Sequence, residues 1–225
     1  MLEDFLTPKD CSNRMSVHVL VYDLFVENVR EQSSAKSVDE FLQAAFDHVG
    51  AFFYAAFGVG LDVKYVSNKT IKSIGTNPPI KKEQRVTMRK IYAEAHPDRQ
   101  RSFDMIMYDF SLPKKKRPHF IFGFIGQKEI IPAQIDFFTW PMYLGARDHA
   151  GSSGARYCTA GINVVSGLSY TIIHELGHSL GAQHTDDPNC VMQASMIHGK
   201  TQYGWSNANR VIVQTKLREL GLCKV

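Results

Sequence analysis

His174-Glu175-Leu176-Gly177-His178-Ser179-Leu180-Gly181-Ala182-Gln183-His184 is the stretch on which the reading of this 225-residue chain turns. On a helix, His174 and His178 stand four residues apart and project from one face, so two imidazoles can hold one metal ion. Glu175 is one residue along and points elsewhere on the turn. It cannot share that vertex, but it can reach a water on the metal as a general base. Gly181 stands where the helix must stop and the chain must turn, which calls for the positive φ that glycine tolerates. That turn returns His184 as a third ligand. Nitrogen donors in this pattern suit Zn(2+) with one open position. The chain has 16 Gly and 9 His, so finding both at these offsets by chance is roughly a three-in-a-thousand event. The bland alternative is a helix with ordinary surface or core histidines. It leaves three histidines and a glutamate on one turn with little structural use.

Working outward, Val17–Tyr22 is short, β-branched and apolar and predicts a buried strand. Ser37 to Phe57 predicts a long helix, with Ser37 as N-cap, Glu40 three residues on, and Phe41, Ala45, His48 and Phe52 as its apolar stripe. Gly58 and Gly60 end it, and Leu61–Val66 predicts a second strand. A charged helix over Lys81–Ala95, stopped by Pro97, and a third strand over Phe103–Phe110 follow. The aromatic-rich stretch Pro118–Leu144 should supply one or two strands, including a sheet edge, and Gly161–Val165 another. The histidine helix spans roughly Gly167–Leu180. A last helix spans about Asn207–Leu220, with Val211, Val213, Leu217 and Leu220 as its apolar positions. With no internal repeat or low-complexity linker, residues 1–225 read as one domain. Its class is α+β with an α/β-like first half, a mixed twisted sheet covered by helices.

Hydrophobic residues make up 44% and charged residues 21%, which is ordinary for a globular protein. The longest uncharged apolar stretch, Val49–Leu61, is too short to span a bilayer. The start, Met1-Leu2-Glu3-Asp4, has no signal-peptide character, which leaves a cytosolic protein or a mature fragment behind an added Met. A net charge of +4 and a pI near 8.8 are too mild for a dedicated nucleic-acid binder. The basic run Lys114–Arg117, between Pro113 and Pro118, reads as a solvated loop, with a weak polyanion contact as the alternative. The cysteines Cys11, Cys158, Cys190 and Cys223 form no C-x-x-C pair. Two disulfides or four buried thiols both fit them. Asn68-Lys69-Thr70 matches the glycosylation triplet.

The eleven residues resemble the extended zinc signature of the metzincin clan of metalloproteases. Cys158-Thr159-Ala160-Gly161-Ile162-Asn163-Val164 before them, and Trp205-Ser206, a final helix and Cys223 after them, resemble the reprolysin (adamalysin) family of snake-venom and ADAM proteases. Detailed likeness covers roughly Tyr157–Cys223. Two departures stand out. Thr185 separates His184 from Asp186, so that His184-Thr185-Asp186-Asp187-Pro188 is more similar to matrixins, and His18 stands where reprolysins carry a calcium-binding Glu.

The resemblance implies a zinc helix at a cleft, with an upper subdomain of about 1–184 and a lower one of about 185–225. His174, His178 and His184 would be the zinc ligands, Glu175 the general base, and Met192 the Met-turn residue under the metal; Met196 is the other candidate. It implies hydrolysis of internal peptide bonds in extended protein or peptide substrates, extracellular matrix or plasma proteins among them. The chain would be secreted, for instance in venom or saliva, as a mature monomer whose signal and propeptide lie elsewhere, with no nucleic acid and no membrane span. Ca(2+) is a doubtful second cofactor, with Asp104 as a ligand. The resemblance pairs Cys158 with Cys223, and the second pair expected with it is Cys11 with Cys190. Alternatively, Pro8-Lys9-Asp10-Cys11 faintly resembles a propeptide switch, which would make Cys11 a zinc-blocking thiol. A metzincin-like binding module without proteolysis is the reading from another class; it leaves Glu175 without a purpose.

Overall fold

The computed structural model describes residues 14–32, 37–76, 107–109, 111–124, 157–160, 165–193 and 204–223. Four strands, β1 (Arg14–Val21), β2 (Gly60–Ser67), β3 (Phe120–Phe124) and β4 (Tyr157–Ala160), form a sheet in the order β2-β1-β3-β4. All three of its pairings are parallel. The edge strand expected before Leu144 falls on 125–144, outside the described residues.

A parallel sheet needs cover on both faces, and each strand shows why this one receives it. On β1, Met15, Val17 and Val19 point to one side and are fully buried. Phe120, Phe122 and Phe124 of β3 join them there, under α2 (Val38–Phe57) and α4 (Val165–Ser179). Leu20 and Ile121 join a smaller cluster with Val66, Ile71 and Tyr108. Helices α1 (Asp23–Gln32) and α3 (Asn68–Thr76) follow β1 and β2, and α5 (Asn207–Glu219) closes the described chain.

Local signals set the ends of α2. The Ser37 hydroxyl accepts from the Glu40 N–H at 3.1 Å, and Gly58 closes the helix at φ 69° with its N–H donating to Tyr54 O. The buried stripe is Phe41, Leu42, Ala45, Phe46, Val49, Phe53 and Phe57. It is rotated from the expected one, so His48 is exposed and Phe52 only half-buried. On α5, Val213 and Leu217 are buried as expected, whereas Val211 is 63% exposed.

Other expectations change. Met107–Asp109, inside the expected strand Phe103–Phe110, is helical. The strand before the histidine helix is Tyr157–Ala160, and Val165 already belongs to that helix. The helix expected over Lys81–Ala95 lies outside the described residues. Asn68, in the glycosylation triplet, opens α3. Lys114–Lys116 forms an exposed 3-10 turn, in keeping with the solvated-loop reading.

The Cys11–Cys190 bridge is not formed, because Cys190 is a free, buried thiol. Its Sγ accepts from the N–H groups of Met192 at 3.4 Å and Ser206 at 3.3 Å. Cys223 is buried and disulfide-bonded. Cys11 and the Cys158 side chain lie outside the described residues.

Candidate metal centre

The last turns of α4 and the chain that leaves it build the site. Gly181 takes φ 93°. Its N–H donates to His178 O at 2.8 Å, and the Ala182 N–H donates to Gly177 O at 2.9 Å. This is the hydrogen-bond pattern of a glycine-terminated helix, as the sequence predicts at Gly181. The chain then reverses, and His184 comes beside the other two histidines. The Thr185 N–H donates to Met192 O at 3.1 Å, which ties the return segment to the buried turn Cys190-Val191-Met192.

His174 Nε2 stands 3.1 Å from His178 Nε2 and 3.3 Å from His184 Nε2. Two imidazoles on one tetrahedral zinc, with Zn–N near 2.0–2.1 Å, hold their nitrogens about 3.3 Å apart. The other ring nitrogens are committed. His174 Nδ1 donates to Val191 O and His178 Nδ1 donates to Ala182 O, each at 2.8 Å. A neutral imidazole carries one N–H, so both Nε2 atoms turn bare lone pairs toward each other. Burial, with repulsion from His184, lowers both pKa values to about 4 against the pull of the carbonyls. Both rings are therefore neutral at pH 7, as ligation requires. Among the described residues this is the one group of three or more potential metal-ligating side chains, and its donor set and spacing fit zinc.

Glu175 is 3% exposed, and burial pushes its carboxyl well above the usual carboxylate range. A nearby dication acts in the opposite sense and favours the carboxylate.

Four residues to which the sequence assigned no role at the site complete the surroundings. Tyr170 lies one turn before His174, its ring stacked on that imidazole at 6.2 Å. Its hydroxyl donates to Val191 O at 2.8 Å, so this carbonyl accepts from both Tyr170 and His174. Gly177 lies against the buried Met192: a Cβ there would meet Met192 Sδ at 2.6 Å and Trp205 Cη2 at 3.0 Å. The Trp205 ring is packed by Phe52, Phe53 and Phe57 of α2, at centroid distances of 6.0, 5.9 and 5.5 Å. Asn209 of α5 is 4% exposed and bonds the backbone of Gln183. The glycine inside the helix and the tyrosine at helical spacing were findable signals. Trp205 is marked only through the reprolysin resemblance, and Asn209 carries no local signal.

His18 is not part of this cluster. It is half-buried on β1, its Nδ1 lies 2.8 Å from Tyr108 Oη, and burial, chiefly, lowers its pKa. Asp104 and Met196 lie outside the described residues.

The profile of the family described as Matrixin (Peptidase_M10) matches residues 84–214, more than half of the chain. A curated relative, the human protein "A disintegrin and metalloproteinase with thrombospondin motifs 20", is 40% identical over 63 residues, which is 23% of this chain and 3% of that protein. The chain thus matches a small fraction of that relative's length. A crystal structure of archaemetzincin from Methanopyrus kandleri is similar at a TM-score of 0.45 and 15% identity, covering 91% of this chain and 96% of that one.

Proposed function

This chain belongs to the matrixin family of peptidases, and we propose that it is a zinc-dependent endopeptidase that cuts internal peptide bonds of proteins. Membership makes it a metallopeptidase of the metzincin type; the residue roles and the kind of cleavage are our reading. The observation that carries it is the convergence of three imidazoles, with His174 Nε2 3.1 Å from His178 Nε2 and 3.3 Å from His184 Nε2 while Nδ1 of the first two is held by backbone carbonyls.

His174, His178 and His184 hold the metal. Zinc bound there supplies Lewis acidity, polarising the scissile carbonyl and acidifying water. A Glu175 carboxylate oxygen takes the proton of the attacking water and passes it to the leaving amine. The dication beside it would favour the carboxylate, the form that accepts the proton, against the burial that raises its pKa. Met192, fully buried and against Gly177 of the histidine helix, takes the place of the Met-turn residue in this reading. About 1–184 is the upper and about 185–225 the lower subdomain of one catalytic domain in this reading, and Cys223 pairs with Cys158.

The protein acts as a secreted monomer on extended protein or peptide segments. The reprolysin resemblance is confined to part of the chain, and the 40% identity over 63 residues with the human relative favours it. The matrixin-like spacing after His184 accords with the family match.

Purified protein should carry one zinc and cleave casein or gelatin in a chelator-sensitive way. Glu175→Ala should keep the zinc and lose about 10²–10⁴-fold in rate, the usual worth of a general base. Undiminished cleavage by that variant would end the assignment of Glu175, and a metal-free protein with full activity would end the zinc reading.

A further inference from the structure

We propose that Asn209, on the last helix, is the positioning residue for His184; the inference rests on the metal reading above. His174 and His178 have two supports each: a rigid helix fixes the backbone, and a carbonyl on Nδ1 fixes the ring. His184 lies past the helix on an exposed turn. The bonds from α4 hold the chain as far as Ala182, and the next residues are also held from elsewhere in the fold.

Asn209 does this at the preceding residue. Its Nδ2 donates to Gln183 O and its Oδ1 accepts from the Gln183 N–H, both at 2.8 Å, across 26 residues of chain. One planar amide thus serves both backbone groups of Gln183, as a neighbouring strand would. A primary amide is the side chain that offers a donor and an acceptor side by side, whereas a carboxylate would set an acceptor against the Gln183 carbonyl. On the far side of His184, the Thr185 N–H is held by Met192 O. The third histidine is therefore bracketed, and Asn209 is the side-chain half of the bracket. Asn209 is itself anchored: its N–H donates to the N-capping Ser206 hydroxyl at 3.3 Å, and Val213 and Leu217 bury the same helix face.

The test is a double-mutant cycle on zinc affinity, measured by chelator competition on the full chain, with circular dichroism reporting the fold. Asn209→Ala should weaken zinc by roughly 10–100-fold, the usual cost of losing a residue that orients a ligand. In a His184→Ala background the same change should alter the residual affinity less than about twofold, because the ligand it positions is gone. Asn209→Asp keeps the shape but sets a charged acceptor against Gln183 O in place of the donor; it should lose roughly tenfold and takes over the cycle if the alanine variant does not fold. Wild-type affinity in either folded variant, or an equal loss in both backgrounds, overturns the proposal. A wild-type chain that takes up no zinc overturns the metal reading itself, a result distinct from either of these.

Discussion

Gly177→Ala adds one methyl group in the middle of the histidine helix, and the structure makes its cost specific. The new Cβ would stand 2.6 Å from Met192 Sδ, 3.0 Å from Trp205 Cη2 and 3.2 Å from Trp205 Cζ3, where ordinary contact begins at 3.4 Å. The thioether is flexible but fully buried, and the indole is packed by three phenylalanines of α2. Forcing extra volume into such a place costs about 1–3 kcal/mol. Alanine gains about 1 kcal/mol over glycine as a helix former. The balance is a loss of about 1 kcal/mol, which in a chain of this size lowers Tm by about 2–4 °C. Gly50, inside α2, is the control: a Cβ there meets only Leu61, at 3.8 Å or more. Gly50→Ala should gain about 0.5–1 kcal/mol and raise Tm. Thermal unfolding of both variants in chelator, which removes any effect acting through the metal, reads the difference. If Gly177→Ala stabilises the protein as Gly50→Ala does, the close packing of α4 on Met192 and Trp205 is wrong.

Tyr170→Phe keeps the ring on His174 and removes the hydroxyl from Val191 O; zinc should bind up to about tenfold more weakly by chelator competition, and an unchanged affinity would show that the shared carbonyl does not steer the imidazole. Tyr65 should govern part of the alkaline limb of stability. Burial first, then the Asp47 and Asp39 carboxylates, push its pKa from 10.0 up to about 12. The native state thus keeps a proton that the unfolded chain releases, and stability falls as pH rises from about 10 to 12. Tyr65→Phe should flatten that fall in urea titrations at pH 8 and pH 11, and an equally steep fall would remove Tyr65 as its source.

The parts legible in the sequence are those written in short-range spacing. The three histidines, the turn at Gly181 and the Ser37 cap depend on residues within a turn or two of each other, and the structure has each in place. Strands β1 and β2 were legible because β-branched runs ended at clear boundaries. Position around an axis was harder to read. The stripe on α2 is rotated because Phe46, Val49 and Phe53 compete with Phe52 for the same core, and only packing decides among neighbouring phenylalanines. The apolar run Phe103–Phe110 has no period to separate strand from helix, and 107–109 is helical. Helix α1 buries only Phe25 and Val29 among its described side chains, too thin a stripe to stand out. The Cys11–Cys190 pairing failed because an even cysteine count says nothing about which thiols are sealed in the core. Trp205 and Asn209 act on α4 across the fold, through contacts that no local pattern encodes.

The parallel sheet also bears on how the protein reaches its native state. Joining β1 to β3 brings Ser16 to His119, 103 residues along the chain, and such closure must be made before that pairing returns any stabilisation. The bonds around the histidines span far less, 4 residues from His178 to Ala182 and 17 from His174 to Val191. Sheet assembly is therefore the slow event, and the histidine turn is a fast local one that waits for the core to receive it. Zinc, which needs the finished turn, should then slow unfolding and leave the refolding rate nearly unchanged. Refolding and unfolding rates compared with and without chelator would separate those two limbs.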